Sequence, residues 1–396
     1  MYAPSLMADI VVQPLEEKYL AGFHTVRSLT YNNGDPIPVE RQVMDSPGNK
    51  SFIARIGEEV CGACTILEMT ATRGPALLKS AGVAGVAVLP ELRKSGVGST
   101  MMSWLVSHLR ETDVPLASLY AFREPFYRKF GYEVVGKRLK VSCPTHRWPR
   151  IESDLPVRRL VPSDWMELHD CYRKFSHSRS GLNMRNEYLW LRVLGENRPL
   201  TIYAIGDPVE AYAVVSHQSS FWTTDHLSEV VWSTRRGYEG LISMLGGLAI
   251  NKAGLSWFEP SDGPYYSRFL DAGVEVKVDR PVMFRVTDVP SALSQLVPHE
   301  SISGTFSLEV NDSIEPANVG PWRVEFYDGK VEVTAETGSK PADLSMGIHA
   351  FTQAFLGEPG LTQLHANELI DVRSNEGLRH AMILMPDQAT CCMDFF

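Results

Sequence analysis

One stretch of this chain, VAVLPELRKSGVGSTMMSWLVSHLRE at 86–111, restricts the fold more than any other. An apolar, strand-like run meets Pro90 and passes through Arg93, Lys94, Ser95, Gly96, Val97 and Gly98. It then becomes a pattern in which Met102, Leu105, Val106 and Leu109 recur at helical spacing. A strand that turns through glycines into a helix leaves the first backbone N–H groups of that helix without partners. Together with the helix dipole they form an anion site. Gly96 and Gly98 let the loop turn tightly and let a ligand approach the backbone. Arg93 and Lys94 add positive charge beside it, and Ser99 opens the helix. The spacing is not that of the eight-residue P-loop and no GxGxxG is present, which disfavours nucleoside triphosphates and Rossmann dinucleotides. On residues alone the same segment also reads as a turn with solvated cations.

The surrounding residues narrow the choice. Pro90 stops the ladder early, so the 86–88 run (Val86, Ala87, Val88) can offer backbone N–H and C=O groups to an extended ligand, as an edge strand does. A pantetheine arm, with two amides in a row and a diphosphate at its end, fits such a strand and loop.

With 396 residues the chain exceeds one ordinary core, and three blocks are expected: 1–145, 146–289 and 290–396. The first alternates short strands with amphipathic helices. SFIARIGEEVCGACTILEMT reads as two strands about a Gly57-Glu58-Glu59 turn, and EPFYRKFGYEVV as a short helix, a Gly131 stop and a strand. SCPTHRWPRIESDLP (142–156) reads as a linker. The second block repeats the first weakly and in the same order: LTIYAIGDPVEAYAVVSH, then LSEVVWSTRRGYEGLISMLGGL, then PYYSRFLDAGVEVKV. The third changes style, with strand pairs (GTFSLEVND, WRVEFYDGKVEVTAE) and DLSMGIHAFTQAFLG as a helix closed by Gly357.

The formal charge of −9 argues against a general nucleic-acid binder and suits cationic or small partners. No apolar run nears the roughly 18–20 residues that span a bilayer, and the first residues lack a secretory pattern; cytoplasm is expected, with no membrane partner. Of six cysteines, Cys61 and Cys64 lie three apart on a strand, so they point to opposite faces. No second CxxC completes a zinc site, and no metal is expected. Adjacent Cys391 and Cys392 could form only a strained bridge.

Strand, V-x-P-x-x-R-x-x-G-V-G, helix, strand and then PFYRKFGYE resembles the Gcn5-related N-acetyltransferase (GNAT) superfamily. At full length the three blocks look like the enhanced intracellular survival (Eis) family. That resemblance implies a mixed α+β chain: two tandem GNAT folds, the first binding acetyl-CoA, followed by a sterol-carrier-protein-like domain. It also implies homo-oligomers, hexamers or smaller. The implied reaction is direct transfer of acetyl from acetyl-CoA to a primary amine on a polycationic small molecule or a lysine. Such a transfer needs a base for the amine, a stabilised oxyanion and an acid for the thiolate, with no covalent enzyme intermediate. Tyr127 matches the family's general acid; by its surroundings alone it could equally be one ring of an aromatic helix end. The family's base is the chain's own terminal carboxylate, here that of Phe396, and two terminal aromatics have reason to bury. Phe122 and Arg123 stand where one branch of the family has Ser-Glu, so only backbone contacts to the cofactor carry over. STRRGYEGL (233–241) lacks the R-x-x-G-x-G arrangement, and no coenzyme is expected there. SLTYNNGDPIPVER (28–41) is the expected lid, and Asp35, Glu40 and Asp394 are acids that could draw a cationic amine. A non-catalytic acyl-CoA sensor and a carrier using the C-terminal block for a hydrophobic ligand are the alternatives.

Overall fold

The computed structural model describes residues 10–36, 48–195, 199–216, 223–279, 282–337 and 340–394. Strands of the first block are β1 (Ile10–Pro14), β2 (Asn49–Ile56), β3 (Glu59–Arg73), β4 (Ala76–Val88), β5 (Leu116–Tyr120), β6 (Glu133–Val134) and β7 (Arg138–Pro144). The second block contributes β8 (Val157–Leu160), β9 (Ser180–Asn183), β10 (Leu200–Ile205), β11 (Ala211–Ser216), β12 (Thr224–Trp232), β13 (Gly254–Pro260), β14 (Glu275–Asp279) and β15 (Val282–Val286). The third has β16 (Gly304–Asn311), β17 (Trp322–Tyr327), β18 (Lys330–Ala335), β19 (Leu344–Gly347) and β20 (Ile370–Val372).

The helices are α1 (Leu20–Tyr31), α2 (Val97–Glu111), α3 (Glu124–Arg128), α4 (Trp165–His177), α5 (Glu187–Leu194) and α6 (Arg235–Ala249). They continue as α7 (Pro264–Arg268), α8 (Val289–Ser294), α9 (Ile348–Leu356), α10 (Leu361–Ala366) and α11 (Asn375–Leu384). Among the described residues no helix is long and apolar enough to cross a membrane.

The first two sheets share one plan along their main path and exchange a strand on it, and β9 of the second half also pairs with β3 of the first sheet. One runs β1-β2-β3-β4-β5-β15-β6, and the other, read from its β8 edge, runs β8-β10-β11-β12-β13-β7-β14. In each, the sixth strand comes from the other half. Val141 and Cys143 on β7 pack into the second core, and Met283 on β15 into the first. The boundaries at 145 and 289 therefore divide the sequence but not the sheets. The segment expected as linker from 142 is still strand through Pro144, because it completes a ladder with β13 and β14. Exchange also accounts for the weakness of the repeat by eye: a strand needed by one half is written in the other.

The two-residue turn at Gly57 and Glu58 joins β2 to β3, as the sequence predicts, and α2 covers the expected helix. Its Met101, Met102, Leu105, Val106 and Leu109 are buried against the sheet, each worth about 1.5–3 kcal/mol relative to exposure. Residues 344–347, read from sequence as the start of a helix, are instead β19, which pairs in parallel with β16. The helix begins at Ile348 and ends at Gly357, whose φ is +98°.

The third domain is welded to the first. Arg285 on β15 and Asp312 are fully buried and 2.6 Å apart, and Arg285 Nη1 donates to the Phe130 carbonyl at 2.6 Å. This contact explains the glycine of the FGY motif: a Cβ on Gly131 would fall 1.5 Å from that nitrogen, and its φ is +77°. After α11 the chain returns to the other two domains. Ser180 donates its amide to Ala389, and Cys391 donates to Ser180. All six cysteines are free and buried.

Candidate active site

β4 and β5 run parallel and pair only from Ser80 opposite Leu116 to Gly82 opposite Ser118. β4 continues to Val88, so beyond Gly82 the two strands part and a gap opens between them. Ala87 is opposite Ala63, and Leu89 donates its amide to Cys61 at 3.0 Å. By the alternation of an antiparallel ladder, Ala87 directs its backbone groups to β3, while Val86 and Val88 direct theirs into the gap. Of the three predicted positions, Ala87 thus offers no free backbone group. The Val86 carbonyl already accepts a hydrogen bond from Tyr31 Oη at 2.7 Å.

The gap widens into a groove of about 930 Å³ lined by Tyr31, Val86 to Val88, the 92–99 joint and α3. At its floor stands the N-terminus of α2. Gly96 caps it in the left-handed region, φ 104°, with no side chain accepting from the first turn and no acid in that turn. Lys94 is also left-handed, φ 69°, so the joint curls tightly into the helix start. Thr100 is the first residue to donate back, to Gly96; the amides of Val97, Gly98 and Ser99 have no partner within the helix. Arg93, Lys94, Arg123 and Lys129 line the groove, and among the described residues no acid does.

Two predicted residues take other parts. Ser95 spends its amide and its hydroxyl on the Leu92 carbonyl, at 3.3 and 2.6 Å. The Val97 side chain is fully buried in the first core, leaving only its amide for a ligand. Phe122 and Arg123, for which the resemblance carried over backbone contacts alone, line the groove, and Phe122 is 74% exposed. Thr30, Leu92, Pro125, Phe126 and Lys129 also line it. Thr30 and Tyr31 fell within the expected lid, and Pro125, Phe126 and Lys129 within the PFYRKFGYE motif, but nothing in periodicity marked them as walls.

Tyr127 lies one layer behind that wall. It is 2% exposed, with its ring edge-on to Phe122 at 5.6 Å and Phe126 at 5.0 Å. Burial pushes its phenol well above the ordinary value, and Tyr31, Tyr132 and Cys64 add to the effect. Phe396 and Glu40 lie outside the described residues, as does the expected lid beyond residue 36. Asp394 is described: its backbone carbonyl accepts from Tyr120 Oη at 2.7 Å, two residues before Phe122. Among the described residues no group of His, Cys, Asp and Glu is poised to hold a metal.

The second half shows the same strands parting and the site filled. β12 and β13 pair in parallel only from Thr224 opposite Gly254 to His226 opposite Ser256. The first turn of α6 is capped by Thr234, which accepts from the Gly237 amide at 3.0 Å. Glu210 brings its carboxylate to the same turn, held by Thr234 and by Arg236 Nε at 2.9 Å. Tyr238 reaches from α6 to Glu259 on β13, while its ring packs on Trp232 at the end of β12 at 4.9 Å.

Residues 12–135 match the acetyltransferase (GNAT) domain family, and residues 289–393 the sterol carrier protein domain family. N-acetyltransferase Eis of Mycobacterium tuberculosis is 23% identical over 341 residues, 82% of each chain. The solved structure of a probable N-acyltransferase from Enterococcus faecalis superposes with a TM-score of 0.85 at 22% identity, covering 98% of this chain and 100% of that one. Eis1 of Mycobacterium abscessus superposes with a TM-score of 0.76 at 19% identity, with 98% and 100% covered. The chain is thus an N-acetyltransferase with a GNAT domain first and a sterol carrier protein domain last, and it is similar to Eis over most of its length.

Proposed function

We propose that the first domain binds acetyl-CoA in the β4–β5 groove and transfers its acetyl group directly to a primary amine held beside it. One observation carries this reading: the uncapped start of α2, ringed by four cations and, among the described residues, no acid, faces a strand whose Val86 and Val88 backbone groups point into the same groove. The amides of Gly96, Val97, Gly98 and Ser99, with Arg93 and Lys94, are suited to the diphosphate. Val88, and Val86 once Tyr31 yields its carbonyl, would take the pantetheine amides.

In the transfer, the amine nitrogen bonds to the thioester carbon and the carbon–sulfur bond breaks. The leaving thiolate takes the Tyr127 proton, and a base takes the proton from nitrogen. A phenol whose pKa is raised by burial stays protonated at neutral and alkaline pH, so it remains a competent acid. Tyr127 stands behind Phe122 and Phe126, so this role requires those rings to give way when the groove is occupied. For the base we retain the α-carboxylate of Phe396; docking of the chain as far as Asp394 on Tyr120 of the first domain favours it. The acceptor is a primary amine on a polycationic small molecule or a lysine, in keeping with the net charge of −9.

The test compares the native chain with one extended by a few residues past Phe396, using acetyl-CoA and a panel of amines. Extension should abolish turnover and leave acetyl-CoA affinity within a few-fold; equal rates would remove the terminal carboxylate from the mechanism. Tyr127→Phe should slow the chemical step by about 10²-fold or more.

A further inference from the structure

A second buried charge cluster lies outside the groove, in the second half. The Arg185 side chain is wholly buried and serves two carboxylates. Its Nη1 donates to Glu229 Oε2 at 2.9 Å and its Nη2 to Glu229 Oε1. Nε and Nη2 also donate to Asp394 Oδ1, at 3.0 and 2.6 Å. The guanidinium lies over the rings of Tyr172 at 4.2 Å and Trp190 at 5.0 Å. Tyr212 donates to Glu229 at 2.8 Å, which fixes that carboxylate in turn.

Glu229 sits on β12 beside a shift in its register with β11. β4 has the corresponding shift beside Val86, where it turns its backbone to the groove. The second half has thus put a charged receptor on the strand that matches the first half's open one, and the receptor's guest is the tail of the chain. Tyr120 of β5 holds the same residue from the other side, through the Asp394 carbonyl. Asp394 is therefore gripped at its side chain by one half and at its backbone by the other.

We propose that Arg185, held by Glu229, is a positioning residue for acetyl transfer. With Tyr120 it clamps Asp394, two residues before the carboxylate proposed as base. The inference rests on the reading of the terminal carboxylate as base, and it gives the second half a task in catalysis although that half lacks an open coenzyme site.

The discriminating variant is Asp394→Asn. Arg185 then faces one carboxylate instead of two, so the buried cluster becomes electrically balanced and no charge is left unpaired. A merely structural role predicts a lower Tm. The clamp predicts an unchanged or higher Tm with kcat down by about tenfold or more, because ångström-scale misplacement costs that much. KM for acetyl-CoA should stay within about two-fold, since no coenzyme contact is altered. Carboxypeptidase should release the terminal phenylalanines several-fold faster from the variant, because release tracks the open population. Arg185→Lys, which keeps the cation and loses the fork, should fall between the two in both kcat and release.

Unchanged kcat with unchanged release would overturn the clamp, as would a kcat loss that tracks a collapse in Tm. Faster release with unchanged kcat would overturn the positioning role and count against the terminal base as well. If the extended chain is inactive while Asp394→Asn turns over normally, the base stands and the clamp falls.

Discussion

The first two sheets, one in each half, share a strand order and a parting of the fourth and fifth strands, yet they treat the resulting gap in opposite ways. In the first half the helix start has no cap and no acid, and cations face an open groove. In the second, Thr234 caps the helix, Glu210 supplies an internal anion, and Tyr238 and Trp232 bridge the parted strands. The fold alone thus makes an anion site; whether a ligand can use it depends on two or three side chains. Glu210 places a carboxylate at the start of α6, held by the Thr234 hydroxyl and the Arg236 guanidinium.

The largest expected difference between the halves concerns chemistry. Tyr127 and Tyr266 both stand two residues after the helix-opening proline, but Tyr127 is 2% exposed and Tyr266 58%. Tyr127→Phe should cost about 10²-fold or more in kcat, and Tyr266→Phe nothing measurable in the same assay; equal losses would break the contrast. Next comes coenzyme affinity. Ser99→Asp places an acid in the first turn of α2, imitating what Glu210 does for α6. Acetyl-CoA affinity should fall by about 100-fold or more because like charges are juxtaposed, while thermal unfolding should show a gain of about 0.3–1 kcal/mol from the helix dipole.

Smaller effects sharpen the stability side. Thr234→Ala removes the α6 cap and should cost about 1 kcal/mol in denaturant unfolding; α2 has no side-chain cap to lose. Glu210 also gives a pH signature. Its carboxyl is held below the ordinary value chiefly by hydrogen bonds from Arg236, with burial pushing up and Thr234 pulling down. A carboxyl depressed in the folded state adds stability above its unfolded value of about 4.3 and loses that contribution as pH falls through the folded value. The native chain should therefore lose stability relative to Glu210→Gln on acidification below about pH 4.3. Parallel curves for the two proteins would show that the carboxylate is not the internal anion.

The local elements were legible in the sequence because their signals are local. The joint at 90–98, the Gly57 turn and the Gly131 stop each rest on residues that fix their own backbone, and α2 on spacing within one helix. What escaped depends on residues far apart. The exchange of β7 and β15 leaves no trace in periodicity, since a strand reads the same whichever sheet it joins. Arg285 explains Gly131 only once β15 has crossed to the first sheet. Ser95 lies within the anion-binding joint, yet its amide and hydroxyl both go to the Leu92 carbonyl, a matter of loop geometry that composition does not record. Arg185, with Glu229 and Asp394, was invisible for the same cause: 44 residues separate it from one partner and 209 from the other.

The central claim is that one half of the chain, and only that half, presents its helix start to the coenzyme. Calorimetric titration with acetyl-CoA measures it most directly. The expected result is one molecule bound per chain, with affinity lost in the Arg93→Ala, Lys94→Ala double variant and retained in Glu210→Gln. Two molecules per chain, or binding indifferent to the loss of both cations, would contradict it.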